Sequence, residues 1–132
     1  MTDRGVLDTS VFIAAESGRA LDVAGLPDES AVSVVTIAEL RAGVLAARGA
    51  EVRARRLATL DAVADIELLP VDVEAAHMWA QMRVLLAESG RRVNANDLWI
   101  AATAASRGLP VITQDADFDA LSGLAGLVVV HV

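Results

Sequence analysis

The clearest candidates for chemistry are carboxylates that lie far apart in the sequence, each beside an apolar segment. They are Asp8, Glu39, Asp97, Asp115 and Asp117. Placed together, they would repel one another and raise each other's pKa values unless divalent cations neutralised them, and oxygen ligands of this kind select Mg²⁺ or Mn²⁺. Paired metal ions activate water and stabilise the leaving oxygen of a phosphodiester. The carboxylates therefore predict metal-dependent phosphodiester hydrolysis.

Asp97 belongs to the run V-N-A-N-D-L-W-I-A-A-T-A-A-S, residues 93–106, which predicts a helix. Asparagine is a good helix cap, so Asn94 and Asn96 are expected to fix the turn that aims Asp97. An acid in the first turn also suits the positive end of the helix dipole, which lowers the cost of keeping Asp97 ionised by ~0.3–1 kcal/mol. Capping and metal binding use the same geometry here, so neither excludes the other.

The other acids have structural explanations as well. Glu39 completes a capping box with Thr36 in the run T-I-A-E. Asp8 can satisfy a neighbouring loop, and Asp115 and Asp117 can belong to an acidic turn. Any one of these acids is weak evidence for a site, so the hypothesis depends on their shared placement near predicted strand ends.

Strands and helices alternate along the chain. Strands are predicted over residues 4–9, 31–35, 66–71, 111–113 and 127–132. Helices are predicted over 10–16, from the cap Thr36 to Gly49, over 51–64, from the cap Asp72 to Ser89, and over 93–106. This alternation indicates an α/β fold, a parallel sheet of four or five strands with helices on both faces. Sites in such sheets form at the carboxyl ends of the strands, where the acids are expected to meet.

Composition bounds the fold and excludes several kinds of site. With 132 residues, the chain is expected to form one domain over residues 1–132. The absence of cysteine removes disulfides, zinc thiolates and thiol nucleophiles. The N-terminal residues lack a signal-peptide-like apolar run, and the longest apolar stretch, 121–132, is shorter than the ~20 residues of a membrane-spanning helix. A cytoplasmic protein without a membrane segment is expected.

The charge balance favours cations as ligands. The formal net charge is −7, and all eleven basic residues are arginines. A protein this acidic is a poor non-specific binder of nucleic acid. Its arginines cluster at 53–56 and 91–92, a pattern typical of solvated helix faces. Divalent metal or a basic partner is therefore the expected complement of the negative charge.

Other kinds of site find little support in the sequence. There is neither a G-x-G-x-x-G sequence nor a Walker loop for phosphates. Response-regulator receivers need a lysine, which is absent, and aspartate-nucleophile phosphatases need an acid where this chain has Ser10. His77 is expected to be packed or on the surface, and His131 has no evident partner. Trp79 and Trp99 are expected to anchor the core or an interface.

Four segments resemble the motif blocks of PIN-domain ribonucleases, and most closely those of the VapC toxins of bacterial VapBC toxin–antitoxin pairs. They read V-L-D-T-S-V-F-I-A, T-I-A-E-L-R-A-G, N-D-L-W-I-A-A-T-A and V-I-T-Q-D-A-D-F, in this order along the chain. Each block alone is weak evidence. Four blocks in order, with family-like spacing over nearly the whole chain, are strong evidence.

The resemblance implies a PIN-like fold and cleavage of RNA by a water that Mg²⁺ or Mn²⁺ activates. By motif position, Asp8, Glu39 and Asp97 are the first three acids. The fourth is Asp115 or Asp117, because T-Q-D-A-D-F offers an acid at both places. All five acids are expected to be catalytic, and the four aspartates among them are the expected metal ligands.

Three neighbouring side chains are expected to support these acids. Thr113 matches the hydroxyl of the fourth block, and Thr9 follows the first acid. Either threonine can hold a carboxylate or a metal-bound water. Asn96 is expected to support Asp97 through the turn before it.

The resemblance also implies partners. Proteins of this kind are toxins of type II toxin–antitoxin systems, so we expect a homodimer and a cognate VapB-type antitoxin that wraps the toxin and blocks the site. The helices between Thr36 and Ala64 are a candidate groove for it. The expected substrate is RNA, either tRNA or ribosomal RNA by family. The alternative is a non-catalytic PIN-fold module with a binding or regulatory role.

Overall fold

Residues 3–132, the part of the chain that the computed structural model describes, form a parallel sheet of five short strands. In chain order the strands are β1 (Arg4–Leu7), β2 (Glu29–Ser33), β3 (Glu67–Leu69), β4 (Val111–Thr113) and β5 (Val129–His131). They lie in the order β3-β2-β1-β4-β5, and every neighbouring pair is parallel. The predicted α/β class is confirmed. Residues 1 and 2 of the predicted domain lie outside the described residues.

Five α-helices connect these strands within residues 3–132. They are α1 (Thr9–Glu16), α2 (Val34–Ala46), α3 (Ala50–Val63), α4 (Val73–Glu88) and α5 (Ala95–Ser106). Short 3-10 segments cover Val23–Gly25, Ala116–Leu121 and Leu124–Gly126. The predicted cap of α4 is present, because the Asp72 side chain accepts a hydrogen bond from the Ala75 N–H at 3.0 Å. Among the helices of this described range, none combines the length and apolarity needed to cross a membrane.

The helices cover both faces of the sheet, because successive residues of a strand point to opposite sides. On β1, Leu7 packs in one cluster with Leu40 of α2 and Val63 of α3. Its neighbour Val6 points the other way and packs in a second cluster, which includes Ile100 of α5. The two clusters lie on opposite faces of the sheet, with Leu40 of α2 and Val63 of α3 on one face and Ile100 of α5 on the other.

The start of α2 differs from the prediction. The helix begins at Val34, and the Ser33 hydroxyl caps it by accepting a hydrogen bond from the Val35 N–H at 3.1 Å. Thr36 therefore lies inside the helix, where it is fully buried, and the predicted capping box with Glu39 is wrong. The β-branched run of residues 32–36 suggests a strand that continues to Val35, but the serine cap ends the strand two residues earlier.

Two of the clustered arginines close the end of α2. The Arg53 guanidinium donates to the Ala47 carbonyl at 3.1 Å, and the Arg56 guanidinium donates to the Gly43 carbonyl at 2.7 Å. Carbonyls in the last turn of a helix lack intrahelical partners and favour cations. These side chains therefore join α3 to α2, a role that the prediction of a solvated face does not include.

Candidate active site

The candidate site lies where the strand order reverses. The chain runs from β1 outward to β2 and β3, then returns to the other side of β1 with β4 and β5. In open α/β sheets, the carboxyl ends of the strands form a crevice at such a switch point. Asp8 follows β1 directly, and Asp115 comes two residues after β4. Two of the predicted acids therefore flank this crevice.

Asp8 is fixed by hydrogen bonds from both strand ends. Asp8 is buried, with only 3% of its surface exposed. Its Oδ2 atom accepts a hydrogen bond from the Thr113 hydroxyl at 2.9 Å and another from the Ser10 N–H at 3.3 Å. Thr113 itself is fully buried. The carboxylate is thus oriented by groups that the core holds still.

A chain of hydroxyls extends this contact to Ser10. A threonine hydroxyl has one proton, and Thr113 donates its proton to Asp8, so Ser10 is the donor across the 3.2 Å that separates the two hydroxyl oxygens. The Ser10 oxygen also accepts from the Gln114 N–H at 2.9 Å. The Thr113 oxygen accepts from the Asp115 N–H at 2.9 Å. These bonds tie the end of β1 to the loop after β4.

Glu39 reaches the crevice from α2 and is held there by Thr9. The Thr9 hydroxyl donates to Oε1 of Glu39 at 2.7 Å, and its oxygen lies 3.1 Å from that of Thr36. Thr9 and Thr36 are 6% and 0% exposed. The buried pair of hydroxyls therefore joins the start of α1 to α2 and positions Glu39 beside the segment that carries Asp8.

Asp97 lies in the first turn of α5. The side chain of Asn94 caps this helix by accepting a hydrogen bond from the Asn96 N–H at 2.8 Å. Asn96 contributes its backbone N–H to the cap, while the residue itself is exposed. The turn before Asp97 is therefore built by the Asn94 side chain and the Asn96 backbone.

Asp97 meets both acids of the loop after β4. One carboxylate oxygen from each of Asp97, Asp115 and Asp117 lies within 4.8 Å of the others. The Asp115 carboxylate accepts a hydrogen bond from the Asp117 N–H at 2.9 Å, which holds these two acids side by side. Asp117 is exposed, whereas the other two are partly buried. Both candidates for the fourth acid therefore belong to the cluster.

The negative charge of this cluster is not balanced by salt bridges within residues 3–132. The pKa of Asp97 is raised from its ordinary value of 3.8 to about 7, first by burial and then by the charges of Asp8, Asp115, Glu39 and Asp117. The other four predicted acids thus all lie close enough to act on Asp97. Among residues 3–132, the salt bridges lie elsewhere and involve none of the five.

The donor set fits Mg²⁺ or Mn²⁺. Oxygen ligands about 2.1 Å from such an ion lie up to ~4.2 Å apart across it. The 4.8 Å spread of the Asp97, Asp115 and Asp117 oxygens is only slightly larger, so small side-chain rotations would bring all three into contact with one ion. A divalent cation would also relieve the repulsion that raises the pKa of Asp97.

The sequence matches a known family over most of its length, since residues 5–124 correspond to the PIN domain. The chain belongs to the PIN-domain family. It is 67% identical over 128 residues to ribonuclease VapC5 of Mycobacterium tuberculosis, an alignment that covers 97% of this chain and 95% of that protein. It is 43% identical over 118 residues to ribonuclease VapC4 of the same organism, which covers 89% and 91% of the two chains.

The fold also matches a solved crystal structure over almost the whole chain. The crystal structure of VapBC-5 from Mycobacterium tuberculosis, a member of the VapBC family of toxin–antitoxin systems, has a chain that superposes with a TM-score of 0.93. The match has 63% sequence identity and covers 98% of this chain and 99% of that chain. The prediction of a VapC-type PIN-domain protein from the four motif blocks is therefore confirmed.

The sequence does not predict the hydroxyl contacts that Ser10 and Thr36 make in this PIN-domain site. Ser10 is 103 residues from Thr113 in sequence, and Thr36 is 27 residues from Thr9. A signal for Ser10 does exist, because a second hydroxyl follows Thr9 at the start of a helix. Adjacent helical residues point about 100° apart, so one hydroxyl faces Glu39 and the other faces β4.

His131 contacts an acid outside the cluster, Asp119. Its Nε2 atom is 2.6 Å from Oδ1 of Asp119, so the expectation that it has no partner is wrong. Both side chains are exposed, and the pair links β5 to the 3-10 segment after β4. Asp119 thus has a histidine partner, which sets it apart from the neighbouring acids Asp115 and Asp117.

Proposed function

We propose that this PIN-domain chain is the toxin of a type II toxin–antitoxin system and a Mg²⁺- or Mn²⁺-dependent endoribonuclease. The proposal is supported above all by the convergence of four acids from separate parts of the chain on a fifth, Asp97, whose pKa they help to raise. None of the five has a salt-bridge partner within residues 3–132. Acids with a purely structural role are normally paired, because an unpaired charge is costly to bury. Five acids that lack salt-bridge partners are suited to binding a cation.

The aspartates are the residues that would hold the cation. Asp97, Asp115 and Asp117 offer oxygens within 4.8 Å of one another, and Asp8 lies within electrostatic reach of Asp97. When bound, a divalent cation would neutralise the carboxylates and the RNA phosphate and would lower the pKa of a coordinated water. Asp97, with its pKa near 7, would give up its proton readily as it becomes a ligand at neutral pH.

Asp8 and Glu39 each keep one carboxylate oxygen free of hydrogen bonds from residues 3–132. Oδ2 of Asp8 is occupied by Thr113 and Ser10, and Oε1 of Glu39 is occupied by Thr9. Their second carboxylate oxygens accept no hydrogen bond from a group in residues 3–132. The free oxygen of Asp8 would face the cation. The free oxygen of Glu39, which is not among the proposed metal ligands, would accept the proton of a water that attacks the phosphorus atom, since a general base must lie within hydrogen-bond reach of that proton.

The proposed substrate is RNA, and tRNA and ribosomal RNA are the first candidates. Support comes from the two relatives that are named ribonucleases and from the four motif blocks. A phosphodiester that approaches this crevice adds negative charge to an already acidic site. Cleavage is therefore expected to depend strictly on the cation, and the protein would act in the cytoplasm as one domain over residues 1–132.

The proposed partners are a second copy of the chain and a cognate VapB-type antitoxin. The similarity to the VapBC-5 crystal structure supports the antitoxin. A basic side chain of the antitoxin would be stabilised in the acidic crevice. Leu45 of α2 and Leu57 of α3 are 71% and 40% exposed, which suits the predicted groove between Thr36 and Ala64.

The test is cleavage of total tRNA and ribosomal RNA by the purified chain. Wild type is incubated with Mg²⁺, with Mn²⁺ and with EDTA, beside Asp97→Asn and the matched control Asp119→Asn. We expect wild type and the Asp119 variant to cut RNA with either cation and to be inactive in EDTA. Asp97→Asn removes a cluster ligand and is expected to be inactive throughout. Mapping the new RNA ends then identifies the target.

A parallel growth assay separates the proposal from a non-catalytic role. Wild type and Asp97→Asn are expressed in a host that lacks the antitoxin, and only wild type is expected to arrest growth. Equal arrest by both variants, together with RNA that stays intact in both cations, contradicts the ribonuclease proposal. A non-catalytic PIN-fold module would then be the better account.

A further inference from the structure

A groove runs beside α4 and the loop that leads into α5. Its volume is about 790 Å³, within the range of ~300–1,000 Å³ that is usual for ligand sites. The charged side chains that line it are all arginines, namely Arg83, Arg91 and Arg92. Its apolar lining includes Leu86, Val93 and Leu98. Within the described part of the chain, no acidic residue lines this arginine groove.

The three guanidinium groups are exposed and lack acidic partners. In residues 3–132 the arginines that form salt bridges are Arg4 and Arg107, and neither lines the groove. Arg83, Arg91 and Arg92 therefore keep their positive charge uncompensated. On a chain with a formal charge of −7, three such groups along one groove form a local positive field.

An aromatic stack holds Arg83 in place. Its Cζ atom lies 5.6 Å from the centroid of the Trp79 ring, inside the ~6 Å limit of a cation–π contact. Trp79 in turn stacks on Trp99, with 5.0 Å between the ring centroids and 20° between the planes. The Trp79 ring contacts both Arg83 and Trp99, while its N–H is buried without a hydrogen-bond partner among the described residues. One guanidinium is therefore oriented before any ligand binds.

The arginine groove and the acid cluster both include residues from the start of α5. Leu98 lines the groove, while its neighbour Asp97 belongs to the cluster. Arg91 and Arg92 lie in the loop just before the Asn94 cap of the same helix. A polyanion whose backbone passes Asp97 must continue away from the crevice, and the groove arginines Arg91 and Arg92 precede Asp97 by only six and five residues.

We infer that the arginine groove binds the RNA backbone next to the scissile phosphate. This inference rests on the proposed ribonuclease function and names where the substrate lies. Arg83, Arg91 and Arg92 would contact phosphates, because the guanidinium fork pairs with two phosphate oxygens at once. The apolar lining would contact the sugars. The groove would thereby overcome the repulsion between RNA and an acidic protein.

An acidic segment of a partner protein is the competing occupant. Such a segment could pair with the same arginines, but its binding would not depend on where they lie relative to Asp97. Binding of RNA would depend on it, because an RNA that is cut at the acid cluster carries further phosphates on both sides of the scissile one. The low aromatic content of 3% also makes base stacking a minor contribution, which leaves phosphate contacts as the main source of affinity.

The test measures binding of a fluorescein-labelled single-stranded 12-mer RNA by anisotropy over a range of salt concentrations. All proteins carry Asp97→Asn to prevent cleavage. Arg91→Ala/Arg92→Ala is compared with the matched control Arg48→Ala/Arg55→Ala, which removes the same charge from exposed arginines outside the groove. We expect the groove variant to weaken binding at least ~10-fold and to reduce the salt slope by about 1.4, or ~0.7 per lost phosphate contact. The control is expected to change the affinity by less than ~2-fold.

Two outcomes overturn the inference. Equal weakening by the two double variants would mean that only net charge matters. Unchanged RNA binding by the groove variant, with weaker self-association in analytical ultracentrifugation, would assign the groove to a protein interface. Circular dichroism of each variant verifies folding. Failure of the wild type to cleave any RNA would instead overturn the proposed function, so the two failures are distinguishable.

Discussion

The two sides of the acidic crevice are built on different principles. On the side of β1 and β4, Asp8 is buried and receives hydrogen bonds from the Thr113 hydroxyl and the Ser10 N–H. On the side of α5, Asp97 is partly buried beside other acids and its pKa is raised to about 7. Hydrogen-bond donors orient the Asp8 carboxylate, whereas neighbouring carboxylates repel the charge of Asp97.

This difference indicates separate tasks for the two sides. The hydrogen-bonded side defines geometry, because its donors come from strand ends that the core fixes. The repulsive side provides the affinity for a cation, because a bound cation relieves the electrostatic repulsion among the carboxylates of the folded protein. Removing a group from the first side should cost stability, and removing a charge from the second should not.

The largest effect is expected for Asp97→Asn. Loss of an outer group around a metal site typically costs 10–100-fold in activity, so loss of a direct ligand should cost more than ~100-fold. The fold should survive, since an amide keeps the shape of the side chain and removes repulsion. The metal-free variant should even melt at a higher temperature than wild type at pH 8. A variant that unfolds would show that Asp97 serves only the helix cap.

Thr113→Val should have a smaller effect on activity but the opposite effect on stability. The substitution removes the donor to buried Asp8 and the acceptor of the Asp115 N–H. We expect a loss of ~1–3 kcal/mol in the free energy of unfolding and a drop of ~10–100-fold in cleavage. Urea denaturation in EDTA and initial cleavage rates measure the two. Wild-type stability in this variant would contradict the role given to the hydroxyl chain.

Ser10→Ala tests the outer end of the same chain. Ser10 touches Thr113 and the Gln114 N–H but no acid through its side chain, so it is a positioning residue. We expect a loss of ~0.5–1.5 kcal/mol in stability and a weaker affinity for Mn²⁺. Ser10→Thr keeps the hydroxyl and should restore the Mn²⁺ affinity. If serine, alanine and threonine at this position bind Mn²⁺ equally, the residue plays no part in the site.

A pH series sharpens the contrast between the two sides. The pKa of Asp97 lies near 7 in the folded protein and near 3.8 when unperturbed, so between these values the folded state binds more protons than the unfolded state. The free energy of unfolding of the metal-free protein should therefore fall as pH rises from about 4 to 7. Melting temperatures in EDTA at pH 5 and pH 8 should show this decline in wild type. Asp97→Asn should flatten it.

The sequence predicts the fold and the acid cluster because both depend on local signals. Alternating strand and helix patterns imply a parallel sheet, and the switch point of that sheet brings Asp8 and Asp115 to one crevice. Asp97 is aimed there by a helix cap that is legible in the run N-A-N-D. At Asp97, therefore, the local motif and the structure agree.

The remaining contacts depend on packing between distant segments. The strand-like run V-S-V-V-T hides the cap at Ser33, because a serine hydroxyl in the middle of β-branched residues gives no local sign of a helix start. The bond from Ser10 to Thr113 spans 103 residues, and it exists only because β1 and β4 pair. The arginine groove likewise needs α4 and the start of α5 to be placed side by side.

The central claim is that the acid cluster binds a divalent cation, and calorimetric titration with Mn²⁺ tests it most directly. Wild type, Asp97→Asn and Asp119→Asn are titrated at pH 7.5 in the absence of RNA. We expect binding by wild type and by the Asp119 variant with similar affinity. Asp97→Asn should bind at least ~10-fold more weakly. Equal binding by all three proteins, or no binding by wild type, would contradict the account.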